Sequence, residues 1–242
     1  MTHSPNTIVV VGNGMVGHRF CERLVEHGIA ARARVVVFGD EPRPAYDRVH
    51  LTDYFTHRSA DALSLATTRW YAEHAIELHT DTRIARVERA RREVVTARGD
   101  AVAYRALVLA TGSSPFVPPI RGIERPGVFV YRTIEDLDAI LAWARTARRA
   151  AVIGGGLLGL EAARALQVAG LETHVLEAAP RLMPRQLDTG GAALLERTIR
   201  ALGVHVHTGV RIDAIVGTDV IHPVHAVQLV GAEAIEVDLV IV

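Results

Sequence analysis

Lysine is missing from the 242-residue chain, so all 27 positions counted as lysine or arginine are arginine. A Walker-type phosphate loop needs a lysine to reach the phosphates, and Schiff-base catalysis needs a lysine amine. Both are excluded. Cys21 is the single cysteine. One thiol excludes an internal disulfide, a dithiol redox pair and a thiolate-held metal cluster within this chain. Neither sign of charge is in excess, with 27 acids against 27 bases, and aromatics make up only 5%. That leaves no cationic footprint for nucleic acid or anionic lipid and little surface for stacking bases. No stretch approaches the ~18 consecutive apolar residues of a membrane span. The opening MTHSPNTIVVVGNG lacks a basic region, and glycine interrupts its short apolar run. A soluble cytoplasmic protein is expected, with neither nucleic acid nor membrane as partner.

What is present is an ordinary globular composition, 49% hydrophobic and 22% charged, in a length between one domain and two. Ile8 to Val11 is a β-branched run bounded by polar residues and glycine, the pattern of a buried parallel strand. A helix is predicted over Met15–Glu26, a strand over Arg34–Phe38, and helix again over Asp61–His74. Residues 82–104 alternate about an Arg-Gly-Asp turn, which suggests an antiparallel meander. Leu107–Ala110 reads as another buried strand. The proline- and glycine-rich stretch Ser113–Gly127 is taken as a linker between domains at 1–115 and 116–242. Thr133 and Asp136 have capping-box spacing and open a helix to Ala147. A second strand–turn–helix follows, with the strand at Ala151–Ile153 and the helix ending near Gly170. Thr173–Leu176 is then a strand, Asp188–Leu202 a helix, and Asp238–Val242 a final apolar strand.

The strand–glycine turn–helix unit therefore occurs twice. In the first, Gly12, Asn13, Gly14, Met15, Val16 and Gly17 lie between strand and helix. Gly12 permits the tight turn, Gly14 lets backbone approach a pyrophosphate, and Gly17 lets helix pack on strand. Phosphates would sit on the unpaired N–H groups at the helix start. An acid should end the next strand to hold a ribose, and Asp40 lies 23 residues past Gly17 with Glu41 adjacent. In the second unit Gly154, Gly156, Leu157, Leu158 and Gly159 repeat the pattern, and Glu177 follows Gly159 by 18 residues. A carboxylate there favours a free 2′-hydroxyl and hence NADH, while nearby Arg181 leaves NADPH open. Two dinucleotides in one chain suggest a flavin and a nicotinamide exchanging hydride. The fold class is α/β, with two Rossmann-like dinucleotide-binding domains.

On these residues the chain resembles the pyridine nucleotide–disulfide oxidoreductase superfamily, in the branch without the redox disulfide. The resemblance implies FAD on the first glycine turn and NAD(P)H on the second, in the glutathione-reductase-like arrangement. Ala110, Thr111 and Gly112 match the family segment that crosses near FAD. Four segments, GDEPRPAYDRVHL (39–51), VYRTIEDLDAI (130–140), GGGLLGLEAARAL (154–166) and RLMPRQLD (181–188), are similar to the large-subunit branch of assimilatory NAD(P)H nitrite reductases. By that resemblance Arg48 and Arg132 approach FAD and Glu161 lies near the nicotinamide. Solvated arginines and a helix-start acid are the alternatives. Two features depart from the pattern. Where related ferredoxin and rubredoxin reductases carry a lysine beside the flavin, this sequence reads Arg48 to Asp53. The family's later segments are also missing, so the FAD domain is expected to be truncated at its C-terminal side and to hold flavin weakly.

The implied function is hydride transfer from NAD(P)H to FAD as electron entry for assimilatory nitrite reduction. Iron–sulfur and sirohaem centres are expected only in the missing remainder, and a homo-oligomer is left open. A stand-alone ferredoxin or rubredoxin reductase or NADH oxidase is the alternative, and a dinucleotide-responsive interaction protein is one of another class. No catalytic side chain is assigned. His205 and His207 share a strand face, but no carboxylate or thiol is spaced to match, so no metal is expected. His222 and His225 around a proline are read as surface residues. Cys21 is expected in the core, and Trp70 and Tyr71 are expected to serve packing.

Overall fold

The computed structural model describes residues 6–218 and 223–242, so His222 lies outside the described residues. In chain order the elements are β1 (Thr7–Val11), α1 (Met15–Glu26), β2 (Arg34–Phe38), α2 (Tyr54–His57), α3 (Thr68–Glu73), β3 (Ile76–His79), β4 (Ile84–Glu88), β5 (Glu93–Thr96), β6 (Ala101–Ala103) and β7 (Ala106–Leu109). They continue with β8 (Val128–Phe129), α4 (Ile134–Ala144), β9 (Arg149–Ile153), α5 (Leu157–Val168), β10 (Glu172–Glu177), α6 (Thr189–Ala201), β11 (Val204–Thr208), β12 (Ile212–Val216), β13 (Ala226–Leu229), β14 (Ile235–Glu236) and β15 (Leu239–Ile241). Among the described residues, no helix is long and apolar enough to cross a membrane.

The chain forms two compact units. The first comprises the described residues to His50 together with Ser59–Ser114. Its parallel sheet runs β3-β2-β1-β7, and β4-β5-β6 make a separate antiparallel meander. The valine runs are continuous because both sheet faces are covered. Val10, Val35 and Val37 pack with Cys21, Leu24 and Tyr71. Val9, Val11, Val36 and Phe38 point the other way, onto Val94 of the meander. Cys21 is buried at 0% exposure, as a small core residue, and burial pushes its thiol up to about 12.

The second unit comprises Leu51–Arg58 and the described residues from Pro115 to Val242. Its sheet runs β11-β10-β9-β15-β8, all parallel, with an antiparallel meander β12-β13-β14. Ala151, Leu176 and Val240 pack against the meander residues Ile215 and Val227. The order β11-β10-β9-β15 repeats β3-β2-β1-β7, so the duplication seen in the two glycine turns extends through each unit.

Three expectations are corrected. Asp61–His74 is not one helix: a 3-10 turn at Asp61–Leu63 precedes α3. Between them Leu63–Leu65 pairs by backbone with Ala45–Asp47, which holds it extended until Thr67 caps α3. Leu51–Arg58, read as part of the first domain, belongs to the second unit, where the Tyr54 hydroxyl donates to Asp138 of α4 at 2.7 Å. The stretch after Pro115 is not a free linker either. Ile215 N–H donates to Arg121 O, and a Cβ on Gly122 would lie 2.0 Å from Ile215 O.

Candidate functional site: two glycine turns

The first glycine turn leaves β1 and opens α1. Gly12 has φ +108°, and a Cβ there would lie 2.1 Å from Ala110 O, so this turn abuts the backbone of Ala110 and Thr111. A Cβ on Gly17 would lie 2.0 Å from Gly12 O. Both positions are glycine because nothing larger fits. Gly14 differs: it is the N-cap of α1, makes no side-chain cap, and a Cβ there would meet nothing within 4 Å. The helix thus presents unpaired N–H groups, with roughly half a positive charge, behind an open approach. Met15 is half-buried, and Val16 stands exposed on the same first turn.

Asn13 is held by a relay through Tyr71, a residue expected to serve packing. His18 Nδ1 lies 3.1 Å from the Tyr71 hydroxyl, which donates to Asn13 Oδ1 at 2.8 Å. Tyr71 Oη therefore accepts from His18 Nδ1–H. Asn13 Nδ2 is a buried donor without a partner among the described residues. A buried donor of this kind calls for an explanation, and a water, an ion or a ligand atom would each supply one. The aromatic signal Trp70-Tyr71 was visible, but only the fold sets the hydroxyl beside the turn. Burial pushes the His18 imidazole below its ordinary range, with Glu22 opposing and Arg19 adding to the shift. The unfolded histidine, near 6.5, takes up a proton before the folded one. Stability is therefore intact above about 6.5 and falls as pH drops below it. Burial lowers His174 and His207 in the same direction. Denaturation midpoints measured from pH 7.5 to 5.5 should decline, and His18→Gln should flatten that decline. An unchanged slope would remove His18 as a source.

The acids after β2 separate in role. Glu41 is half-buried, takes the Tyr46 hydroxyl at 2.6 Å and pairs with Arg48, whose guanidinium also lies over the Tyr46 ring. Asp40 is exposed and lines a cleft of about 270 Å³ with Gly12, Phe38, Arg83, Thr111 and Gly112. Glu41 and Arg48 thus brace the loop, and Asp40 is the acid open to a ligand. The sequence reading missed Arg83, and also Gly39, where a Cβ would crowd the Asn13 side chain at 3.0 Å.

The second turn leaves β9 and opens α5. Gly154 has φ +118°, and a Cβ on Gly159 would lie 2.1 Å from Gly154 O. Gly156 is the N-cap, again without a side-chain cap and with nothing within 4 Å of a Cβ. Leu157 and Leu158 are exposed on the first turn. Glu177, at the end of β10, accepts from Gly155 N–H and from Ala179 N–H, each at 2.7 Å. Its carboxylate holds the turn and keeps unused lone pairs for a diol. Arg181 is pinned, donating to Leu187 O at 3.3 Å and Pro184 O at 3.2 Å, rather than swinging free.

Glu161, in α5, accepts from Thr52 Oγ1 at 3.3 Å, and Thr52 Oγ1 lies 2.8 Å from the Tyr131 hydroxyl. With Thr52 donating to the carboxylate, Tyr131 donates to Thr52. Burial pushes the Tyr131 phenol up to about 12 and keeps it protonated. Arg132 follows Tyr131, half-buried, and its backbone N–H donates to Asp136 of the capping box ahead of α4.

The family model for pyridine nucleotide-disulphide oxidoreductase matches residues 6–242. The large subunit of nitrite reductase [NAD(P)H] from Klebsiella oxytoca is 55% identical over 201 residues, 83% of this chain and 21% of that protein. The nitrite reductase (NADH) large subunit of Escherichia coli (strain K12) is 50% identical over 201 residues, 83% of this chain and 24% of that protein. Among solved structures, a ferredoxin reductase from Rhodopseudomonas palustris superposes with a TM-score of 0.88 at 27% identity, over 98% of this chain and 58% of that one. The chain spans about a quarter or less of the two nitrite reductase subunits.

Proposed function

This chain belongs to the pyridine nucleotide-disulphide oxidoreductase family, and from that premise we propose that it is the electron-entry module of a cytoplasmic assimilatory NAD(P)H nitrite reductase. The first glycine turn holds FAD, and the second holds NADH in preference to NADPH. The observation that carries this reading is the 55% identity over 83% of the chain to a nitrite reductase large subunit.

The residues fit both cofactors. Each of Gly14 and Gly156 leaves its Cβ position open at a helix start, a cradle for a pyrophosphate. Asn13 Nδ2 is a further donor in need of an acceptor. Bound FAD supplies the chemistry, taking two electrons with a hydride from the nicotinamide and releasing them singly. The chain's own side chains bind and orient. Asp40 accepts from the adenosine ribose of FAD, and Glu177 accepts from the adenosine ribose of NADH while fixing the turn beneath it. The Tyr131–Thr52–Glu161 relay holds the Glu161 carboxylate in place by α5. Arg48 and Arg132 stand on the flavin side of this reading, Arg48 through the loop it braces with Glu41. Iron–sulfur and sirohaem centres that would take up the electrons are assigned by this reading to the remainder of the longer protein.

The structural likeness to a ferredoxin reductase, and 30% identity to an NADH oxidase of Methanocaldococcus jannaschii, favour a second reading, in which the acceptor is a ferredoxin or rubredoxin, or oxygen. In the purified full-length protein, anaerobic NADH should bleach the visible flavin absorption, and nitrite should restore it. Bleaching reversed only by a ferredoxin, a rubredoxin or oxygen selects the second reading. A pure protein with no flavin overturns both.

A further inference from the structure

The second unit's sheet carries four polar side chains that neither glycine turn uses. Glu172 and His174 lie two apart on β10, and His205 and His207 two apart on β11, so each pair shares a face. The parallel register sets His174 opposite His205 and Leu176 opposite His207, which brings all four to one side. Glu172 Oε1 lies 3.4 Å from His174 Nε2 and 3.8 Å from His205 Nε2. One donor atom from each of the three lies within 4.8 Å of the others. Tetrahedral zinc with bonds of ~2.0–2.1 Å separates its ligand atoms by roughly 3.3 Å. The Glu172 oxygen already stands near that spacing from both histidines, and a small closing of the two rings would complete it.

His207 completes the arrangement. Its Nε2 lies 3.1 Å from His174 Nδ1. With His174 Nδ1–H donated there, the His174 Nε2 lone pair is the one left facing Glu172, while the His205 ring stacks on the His174 ring with centroids 4.7 Å apart. A hydrogen bond on the second ring nitrogen is what orients a metal-binding imidazole. Metal on Nε2 requires this tautomer, whereas the metal-free ring can donate Nε2–H to Glu172 and accept from His207 at Nδ1. His174 is 13% exposed, whereas Glu172 and His205 are 52% and 54% exposed. An ion would be gripped from inside and reachable from solvent.

We propose that Glu172, His174 and His205 form a binding site for a zinc-class divalent cation, with His207 as a positioning residue. Two imidazoles and a carboxylate, without sulfur, suit zinc or a neighbouring first-row metal rather than the all-oxygen shells of calcium and magnesium. Three protein ligands leave the fourth position to water. The site lies at the start of β10, and Glu177 lies at its end, roughly 10 Å past His174 and about 16 Å past Glu172 along the strand. The ion therefore stands apart from the nucleotide turn and ties β10 to the edge strand β11.

Titration of Zn²⁺ into the metal-stripped 242-residue chain, followed by calorimetry, should reveal one strong site, and Mg²⁺ should give no heat. His205→Ala and Glu172→Gln should each weaken Zn²⁺ binding at least tenfold, and His207→Ala about tenfold through loss of orientation. Both ligand variants change half-exposed side chains, and circular dichroism checks that the fold is kept. Zn²⁺ should raise the melting temperature of the parent and not of His205→Ala. Binding of the same strength and stoichiometry in both ligand variants would overturn the proposal, as would absence of a strong site in the parent.

Discussion

Gly12→Ala should unfold the first unit under conditions where Gly14→Ala leaves it intact. At Gly12 the added methyl carbon would fall 2.1 Å from Ala110 O, on a backbone with φ +108°. Backbone cannot yield as a flexible side chain can, so overlap and strain together should cost about 3 kcal/mol or more. At Gly14 φ is −86°, and the same methyl meets nothing within 4 Å. Its stability cost should stay within about 1 kcal/mol. The methyl would instead occupy the approach to the helix N–H groups, so flavin content of the full-length protein should drop. The pair separates folding from binding at neighbouring glycines. Denaturant midpoints and the flavin-to-protein absorbance ratio read the two effects. A stable Gly12→Ala protein, or Gly14→Ala with full flavin, would contradict this account of the turn.

Glu177→Ala should have a double effect. The carboxylate holds Gly155 N–H and Ala179 N–H, each at 2.7 Å, and alanine leaves both donors unpaired. Hydrogen bonds to a charged group contribute about 1.5–3 kcal/mol each when buried. This site is half-exposed, so a total loss of about 2 kcal/mol is expected. The same change removes the acceptor for a free 2′-hydroxyl and the repulsion of a 2′-phosphate. The kcat/KM ratio of NADH to NADPH in the full-length protein should therefore fall about tenfold. Arg181 would not take over, because two backbone carbonyls already hold its guanidinium. Loss of stability with an unchanged ratio would leave Glu177 a structural role alone.

The dinucleotide turns were legible because their requirements are local. A positive φ and a close helix approach each select glycine at a fixed spacing, and β-branched runs mark strands covered on both faces. Helix α1 and strand β2 have the bounds read from the sequence, and Thr133 caps α4 by the anticipated box. The missed features depend on partners distant in sequence. Tyr71 reaches Asn13 across 58 positions, and Thr52 reaches Glu161 across 109. Asp40 and Glu41 were equivalent as adjacent acids until Tyr46 and Arg48 engaged only Glu41.

The histidines draw the same line most sharply. No carboxylate stood at a useful spacing from His205, because Glu172 reaches it from the neighbouring strand. Period and propensity set where most strands and helices begin, since those signals act over a few residues; the start of α3 is the exception, set by the pairing of Leu63–Leu65 with Ala45–Asp47. Strand register, the placement of Leu51–Arg58 in the second unit, and the choice between adjacent acids were decided in three dimensions. Each is a competition among contacts that exist only once the chain has folded back on itself, and no local pattern records its outcome.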